Sequence, residues 1–307
     1  MRLAAIRHGN RRRAAIVDGE SVFLLPPHAG TVEEIVAQGV EGLAGLARLV
    51  DQAERVPLDP GQLDAPLRRF PRDILCSGWN YWEHFEESRG RRAGQDPTER
   101  PRHPTFFTKG PHVVVGPHDG IALDLRLSTQ WDYEAEVAVV IGRRGRSIPA
   151  ERAWTHVFGL CIANDVSQRD LQRAHGGQWL KGKSIDATMP LGPWITTVDE
   201  IGDPAALVIE CELNGEPMQS ASTAQMAFSI AQLIAELSYG MTLEAGDLLL
   251  TGTPSGVGNA RTPPVFLADG DTLRTRVSRL GELVNRVRTT DLTAYVAAGA
   301  AAGAAAA

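Results

Sequence analysis

The sequence predicts a mixed, β-rich α+β protein with few helices. Three observations carry this. Residues 72–290 break into short apolar, β-branched runs separated by Gly, Pro, Asn and Asp, the pattern of strands and turns. Helical periodicity within that span is confined to a few patches. Residues 1–70 read as a small leading α+β module, closed by Pro57, Pro60, Pro66 and Pro71.

The elements follow in order. Leu3 to Ile6 and Ala14 to Val17 are strands around a His8-Gly9-Asn10 turn, and Asp18-Gly19 turns into another short strand. Thr31 to Arg48 carries the spacing of an amphipathic helix. Trp82 to Ser88, Val166 to Ala174 and Ala224 to Ser238 are the helical patches of the larger region. The last has Met226, Ile230, Leu233, Ile234 and Leu237 at helical spacing. Arg91 to Pro104 is polar, with Pro97, Pro101 and Pro104, and reads as a mobile loop. The tail, 291–307, ends in Ala and Gly alone and is expected to be disordered.

Composition narrows the class. With 43% apolar and 22% charged residues the 307-residue chain is ordinary for a globular protein with a large core. A net charge of −6 argues against a nucleic-acid partner. No apolar run reaches the roughly 18 residues of a membrane span. Cys76, Cys161 and Cys211 are scattered and odd in number, which fits a reducing cytoplasm rather than a disulfide framework. Arg2, Arg7 and Arg11 to Arg13 precede any acid and give the start the composition of a transit peptide. The strand pattern there, with no apolar signal core, sets that reading aside.

The most informative stretch is Asp132-Tyr-Glu-Ala-Glu-Val-Ala-Val-Val-Ile141. As a strand it places Glu134 and Glu136 on one face, continued by Ala138 and Val140. Two carboxylates roughly 6 Å apart repel by about 2–3 kcal/mol at an effective dielectric near 20. A shared proton, a neighbouring Lys or Arg, or a bound cation must offset this. Phe158 to Ala163 reads as a buried strand ending at Asn164-Asp165. Asp165 then serves either as a helix cap or as a third oxygen ligand. Three such ligands suit magnesium, manganese or calcium, not structural zinc.

Two more constellations could carry chemistry. His84 and Glu87, spaced i, i+3, share a face of a helical turn. They are either a carboxylate-oriented general base or an exposed pair on an acidic helix. Asp165, Arg169 and Gln172 share a face if Val166 to Ala174 is helical. Arg169 is then a fork for a substrate carboxylate or a simple neutraliser of Asp165 or Asp170, and Lys183 could polarise a carbonyl. Gly177 to Ser184 matches the P-loop pattern literally. It is rejected, because a polar helix precedes it and Pro190, Gly192 and Pro193 preclude a long helix after it.

Taken in order, the pieces resemble the fumarylacetoacetate hydrolase family. They are Asn80-Tyr81-x-x-His84-x-x-Glu87, Pro104 to Lys109 with Val115-Gly116-Pro117, Asp132 to Glu136, and Asn164-Asp165-Val-Ser-Gln-Arg169-Asp-Leu-Gln172. Lys181-Gly-Lys183-Ser-Ile-Asp186, Pro190 to Trp194, Gly246-Asp247, Thr251 to Gly258 and Gly270-Asp271 follow. The resemblance runs from Ile74 to Val287. Val166 stands where many members carry Trp.

The resemblance implies a twisted β-sheet roll or barrel, usually a homodimer. It implies one magnesium or manganese per chain, with calcium as a substitute, on Glu134, Glu136 and Asp165. It further implies a water-activating dyad of His84 and Glu87 on a lid, and a small 2-oxo acid substrate contacted by Lys183, Arg169, Gln172 and Thr253. The leading expectation is a hydrolase that cleaves a C–C bond in a 2,4-dioxo acid through an enolate. A decarboxylase, an isomerase or tautomerase, or a catalytically silent binding protein of the same fold are the alternatives.

Overall fold

The computed structural model describes residues 1–9, 11–90 and 97–296. Its centre is a mixed sheet of 12 strands. The main path runs Glu54–Pro57, Ser21–Leu24, Arg11–Asp18, Arg2–His8, Met189–Thr197, Val157–Asn164, Ala135–Ile141, Leu248–Leu250, Ile74–Gly78 and Thr105–Lys109. Most neighbours are antiparallel, but Leu248–Leu250 and Ile74–Gly78 run parallel. A second sheet of five strands includes Val208–Leu213, Thr272–Val277 and Gly281–Thr289.

Ala135–Ile141 explains the layering. All seven of its residues are buried, and all but Glu136 are apolar, so the run does not alternate between apolar and polar positions. Val137, Val139 and Ile141 pack towards the second sheet with Ile209, Leu273 and Val287. Ala138 and Val140 pack on the opposite side with Phe158, Cys161, Ile35 and Val36. The leading strands extend the same sheet: Leu3 pairs with Ile195, and Ala5 pairs with Asp64 of the proline-rich stretch.

The β-rich fold class holds, but the sheet is open and not a closed barrel. Among the described residues nothing pairs its two ends. At one end Glu54–Pro57 presents exposed Glu54, Arg55 and Pro57, which resist a further strand by charge and by a missing N–H. At the other end Thr105–Lys109 leads into the site described below.

The helices are shorter than the sequence suggests. The pattern over Thr31 to Arg48 forms two, α1 (Val32–Ala37) and α2 (Leu43–Val50), because Gly39 takes a left-handed φ of 78° between them. α3 is Trp82–Ser88, as expected. α4 is Arg169–Ala174; it starts late because Ser167 and Gln168 pair with Asp132 and Trp131. Of Ala224 to Ser238 only Ile230–Ser238 is α-helical, started by a Ser229–Gln232 capping box. Met226 instead bridges to Tyr81. Part of the expected mobile loop (91–96) and most of the expected disordered tail (297–307) lie outside the described residues. No described helix is long and apolar enough to cross a membrane.

Candidate active site

Strand register brings the three carboxylates together. Ala135 pairs with Asn164 and Glu136 with Ala163, so Glu134 falls beside Asp165 just beyond the ladder. The Asp165 N–H donates to the Glu134 carbonyl at 2.7 Å, and the Asn164 side chain accepts from the Glu134 N–H at 3.0 Å. Glu134 itself lies in a break between the strands Trp131–Asp132 and Ala135–Ile141. Asp165 caps no helix, since the residue capping α4 is Gln168. One oxygen from each of Glu134, Glu136 and Asp165 lies within 4.8 Å of the others, all buried.

Charge explains what the cluster requires. Lys183 Nζ donates to Glu134 Oε2 and Asp165 Oδ2, both at 2.7 Å. Lys109 Nζ donates to Asp165 Oδ1. Arg169 Nη1 reaches Glu134 Oε1 at 2.6 Å. Burial raises the Glu134 pKa, but the charges of Lys183 and Arg169 outweigh it and hold the carboxyl well below its usual range. Glu136 differs. Among the described residues it has no ion pair, and its Oε2 accepts only the Gly252 N–H, at 2.6 Å. Burial and the charges of Asp165 and Glu134 push its pKa well up. A divalent cation would remove that penalty. Three hard oxygens, one of them unmatched, fit such an ion.

Two glycines make this geometry attainable. Gly252 has φ +92° and faces Asn80 so closely that an added Cβ would sit 2.8 Å from the Asn80 Cβ. At Gly182 an added Cβ would meet the Gln172 backbone N at 2.5 Å. Gly182 therefore lets the 3₁₀ turn Leu180–Gly182 press against α4 and deliver Lys183. That is the physical use of the Gly-Lys-Ser sequence, and no helix follows it.

The other predicted residues take distinct places. His84 is buried, and its Nδ1–H donates to Glu87 Oε1 at 2.8 Å; Glu87 Oε2 accepts the Gly256 N–H at 2.8 Å. His84 lines the same pocket as Glu134, Glu136, Arg169, Gln172, Lys183 and Thr253. Arg169 neutralises neither Asp165 nor Asp170. Its Nε donates to Asp132 Oδ2 at 2.8 Å, its Nη1 also meets Gln172 Oε1 at 3.2 Å, and its buried Nη2 has no partner among the described residues. Asp170 instead accepts from Ser128 Oγ at 2.6 Å. The Thr253 hydroxyl donates to the Ala135 carbonyl and accepts from Gln219, so its first role is to brace the strand.

Sequence reasoning assigned no role to Lys109 and Asp132. Lys109 is fully buried at the end of its strand. Asp132 gathers the N–H groups of Tyr133, Gly258 and Asn259 besides Arg169. An acid opening the Asp132 to Glu136 motif was a signal for Asp132. A single lysine ending a strand gave none for Lys109.

Residues 73–288 match the family model described as fumarylacetoacetate (FAA) hydrolase, C-terminal. The chain belongs to the fumarylacetoacetate hydrolase family. It is 40% identical to the oxaloacetate tautomerase YisK of Bacillus subtilis over 87% of this chain and 90% of that protein. It is 41% identical to the mitochondrial oxaloacetate tautomerase Fahd2a of Rattus norvegicus over 84% of this chain and 79% of that one. A solved fumarylacetoacetate hydrolase from Exiguobacterium antarcticum superposes with a TM-score of 0.81 at 36% identity, covering 94% of this chain and all 100% of that one. Maleylpyruvate hydrolase from Sphingobium sp. SYK-6, solved with manganese(II) and pyruvate, gives a TM-score of 0.74 at 28% identity, covering 94% of this chain and 99% of that one. The chain thus belongs to a family of enzymes, and that family includes tautomerases, isomerases and hydrolases alike.

Proposed function

We propose that this protein interconverts the enol and keto forms of oxaloacetate or a similarly small 2-oxo acid. The observation that carries the reading is buried His84, held by the half-buried Glu87 and lining the pocket of the carboxylate cluster. The kinship with oxaloacetate tautomerases supports it. This replaces C–C hydrolysis as the leading reading, and hydrolysis becomes the second.

A divalent cation on Glu134, Glu136 and Asp165, magnesium or manganese, would supply Lewis-acid stabilisation of negative charge on the substrate's oxygens. The remaining work falls to side chains. The Glu87 bond occupies His84 Nδ1, so Nε2 is the atom that exchanges a proton with substrate. Towards the keto form, a proton leaves the enol oxygen, one is delivered to C3, and the C=C bond becomes C=O. No group departs and no water is added. Lys183 holds its proton: burial lowers its pKa, but Asp165 and Glu134 raise it further, so it remains an ammonium facing the developing oxyanion. The unpartnered Nη2 of Arg169 and the Gln172 amide offer donors to the substrate carboxylate.

The test adds metal-loaded enzyme to enol-oxaloacetate and follows the enol absorbance and the products. Accelerated loss of the enol with oxaloacetate recovered supports the proposal. Pyruvate as the product would replace it with a decarboxylase. The likeness to maleylpyruvate hydrolase supports hydrolysis, since the same dyad could activate water; cleavage of an acylpyruvate without enol turnover would install that reading. His84→Ala should slow turnover by roughly 10²–10⁴-fold, the usual worth of a general base. Its affinity for oxalate should stay intact. We also propose a cytoplasmic homodimer. The three free, buried cysteines are consistent with a reducing compartment, and light scattering decides the oligomeric state.

A further inference from the structure

We infer that Trp179 limits the length of the substrate, confining the site to short-chain 2-oxo acids. The inference rests on the enol–keto reading above and adds to it the residue that sets the size of acid accepted.

A row of aromatic rings forms one wall of the pocket. Lys183 Nζ sits 5.1 Å from the centroid of the Phe107 ring. The Phe107 ring meets Trp179 at 4.9 Å, Trp179 meets Trp79 at 4.8 Å, and Trp79 meets Phe85 at 6.3 Å. Phe85 follows His84 in α3. The row therefore runs from the lysine at the carboxylate cluster to the helix that carries the proposed proton-transfer histidine. Phe107, Trp179 and Trp79 line the pocket together with Lys183 and His84. At its two shortest contacts the rings cross edge to face, at 64° and 84°. Rings at these separations touch, so no carbon chain threads between them.

Two features hold Trp179 in the middle of this row. Gly78 lies against it: an added Cβ there would sit 2.6 and 2.8 Å from the ring's Cζ3 and Cη2. The missing side chain lets the indole close on the end of the strand Ile74–Gly78. Next in sequence, Trp79 takes a φ of +50°, a left-handed conformation that strains a bulky residue and is typical of binding sites. Its ring is held there by Trp179 and Phe85. The pocket leaves only about 40 Å³ open to the centres of water molecules, room for about three of them. A 2-oxo acid seated at the carboxylate cluster therefore has little space to lengthen. A longer chain must displace an indole wedged against Gly78, Phe107 and Trp79.

The experiment measures binding of oxalate, 2-oxobutanoate, 2-oxohexanoate and 2-oxooctanoate to the metal-loaded protein by calorimetry, alongside enol turnover of oxaloacetate. Oxalate has no chain, so affinities expressed relative to it cancel a general defect of the site. Wild type should bind 2-oxooctanoate at least about 10-fold more weakly than 2-oxobutanoate, within the discrimination that a packed apolar pocket achieves. Trp179→Ala should raise the relative affinity for 2-oxooctanoate by roughly 10- to 100-fold. Trp179→Phe should fall between the two, and it keeps a ring in the row should the alanine variant fail to fold. A wild type that binds all three 2-oxo acids alike, a length preference unchanged in both variants, or loss of oxalate binding in both overturns the assignment. Should wild type prefer the short acid and Trp179→Ala relax that preference, yet the enol of oxaloacetate not turn over, the length limit stands and the tautomerase reading falls.

Discussion

Glu136 shows how much of a site one unmatched charge can define. Its neighbours Glu134 and Asp165 are held by Lys183, Arg169 and Lys109, while among the described residues Glu136 has a single backbone donor. A ligand that binds only the folded state raises stability by RT ln(1 + [L]/Kd). Saturating magnesium or manganese should therefore raise the melting temperature, and Glu136→Gln should lose most of that rise. A full rise in the variant would remove Glu136 from the cation site. The two glutamates were legible from the sequence because a two-residue spacing in a strand fixes a shared face, and a buried pair of acids needs an explanation. The partners were less legible. Lys109 reaches Asp165 only through the order of strands in the sheet, and no local spacing encodes that order.

Elements, more than residues, set the geometry of the proposed proton transfer. α3 presents His84 and Glu87 one turn apart, and the helix is tied down at its start. Asn80 bonds both the Phe228 and Thr251 carbonyls, and Phe85 is buried. Past the helix, Arg100 folds back, with its Nε 3.0 Å from Glu86 and its guanidinium over the Trp82 ring. If this unit closes over substrate, hydrogen exchange in residues 82–90 and 97–102 should slow when oxalate and metal are added together. Equal exchange with and without oxalate would argue for a fixed wall. The contact between α4 and the Leu180–Gly182 turn gives another test. Gly182→Ala must displace either Gln172 or Lys183, so it should cost about 1–3 kcal/mol of stability and lower activity beyond that loss; chemical denaturation and turnover measure the two effects. The sequence located α3 to the residue but overextended the helices at 31–48, 166–174 and 224–238. In each case apolar spacing continued past a point where something else took over: a left-handed Gly39, the Ser167–Asp132 pairing, or the Met226 bridge.

For the whole molecule, an ion network around buried Asp64 joins the leading strands to the rest. Asp64 meets Arg7, Arg12 and Arg68, and Arg7 and Arg68 also meet Asp119. Burial raises the Asp64 pKa, but the hydrogen bond and charge of Arg68, with the charges of Arg12 and Arg7, outweigh it and leave the carboxyl below its ordinary value. A carboxyl lowered in the folded state stabilises fully above its unfolded pKa of about 4, and that contribution is lost as pH falls through the folded value. Asp64→Asn should therefore destabilise by about 1–3 kcal/mol at pH 7, the arginines being partly exposed. The gap from wild type should close below about pH 4 in denaturation curves. A gap independent of pH would assign the effect to packing.

The pairing of Arg2–His8 with Met189–Thr197 also has a consequence for biosynthesis. Met1 and Thr197, 196 positions apart in the chain, end up hydrogen-bonded to one another. At 5–20 residues per second a ribosome needs roughly 10–40 s to make that interval. Through it the first hairpin waits with one edge unsatisfied and with Leu3, Ala5 and Ile16 uncovered, the side chains that finally pack with Ile195. The nascent chain is thus a natural client for a holding chaperone until its first hairpin meets a strand made past the midpoint of the sequence.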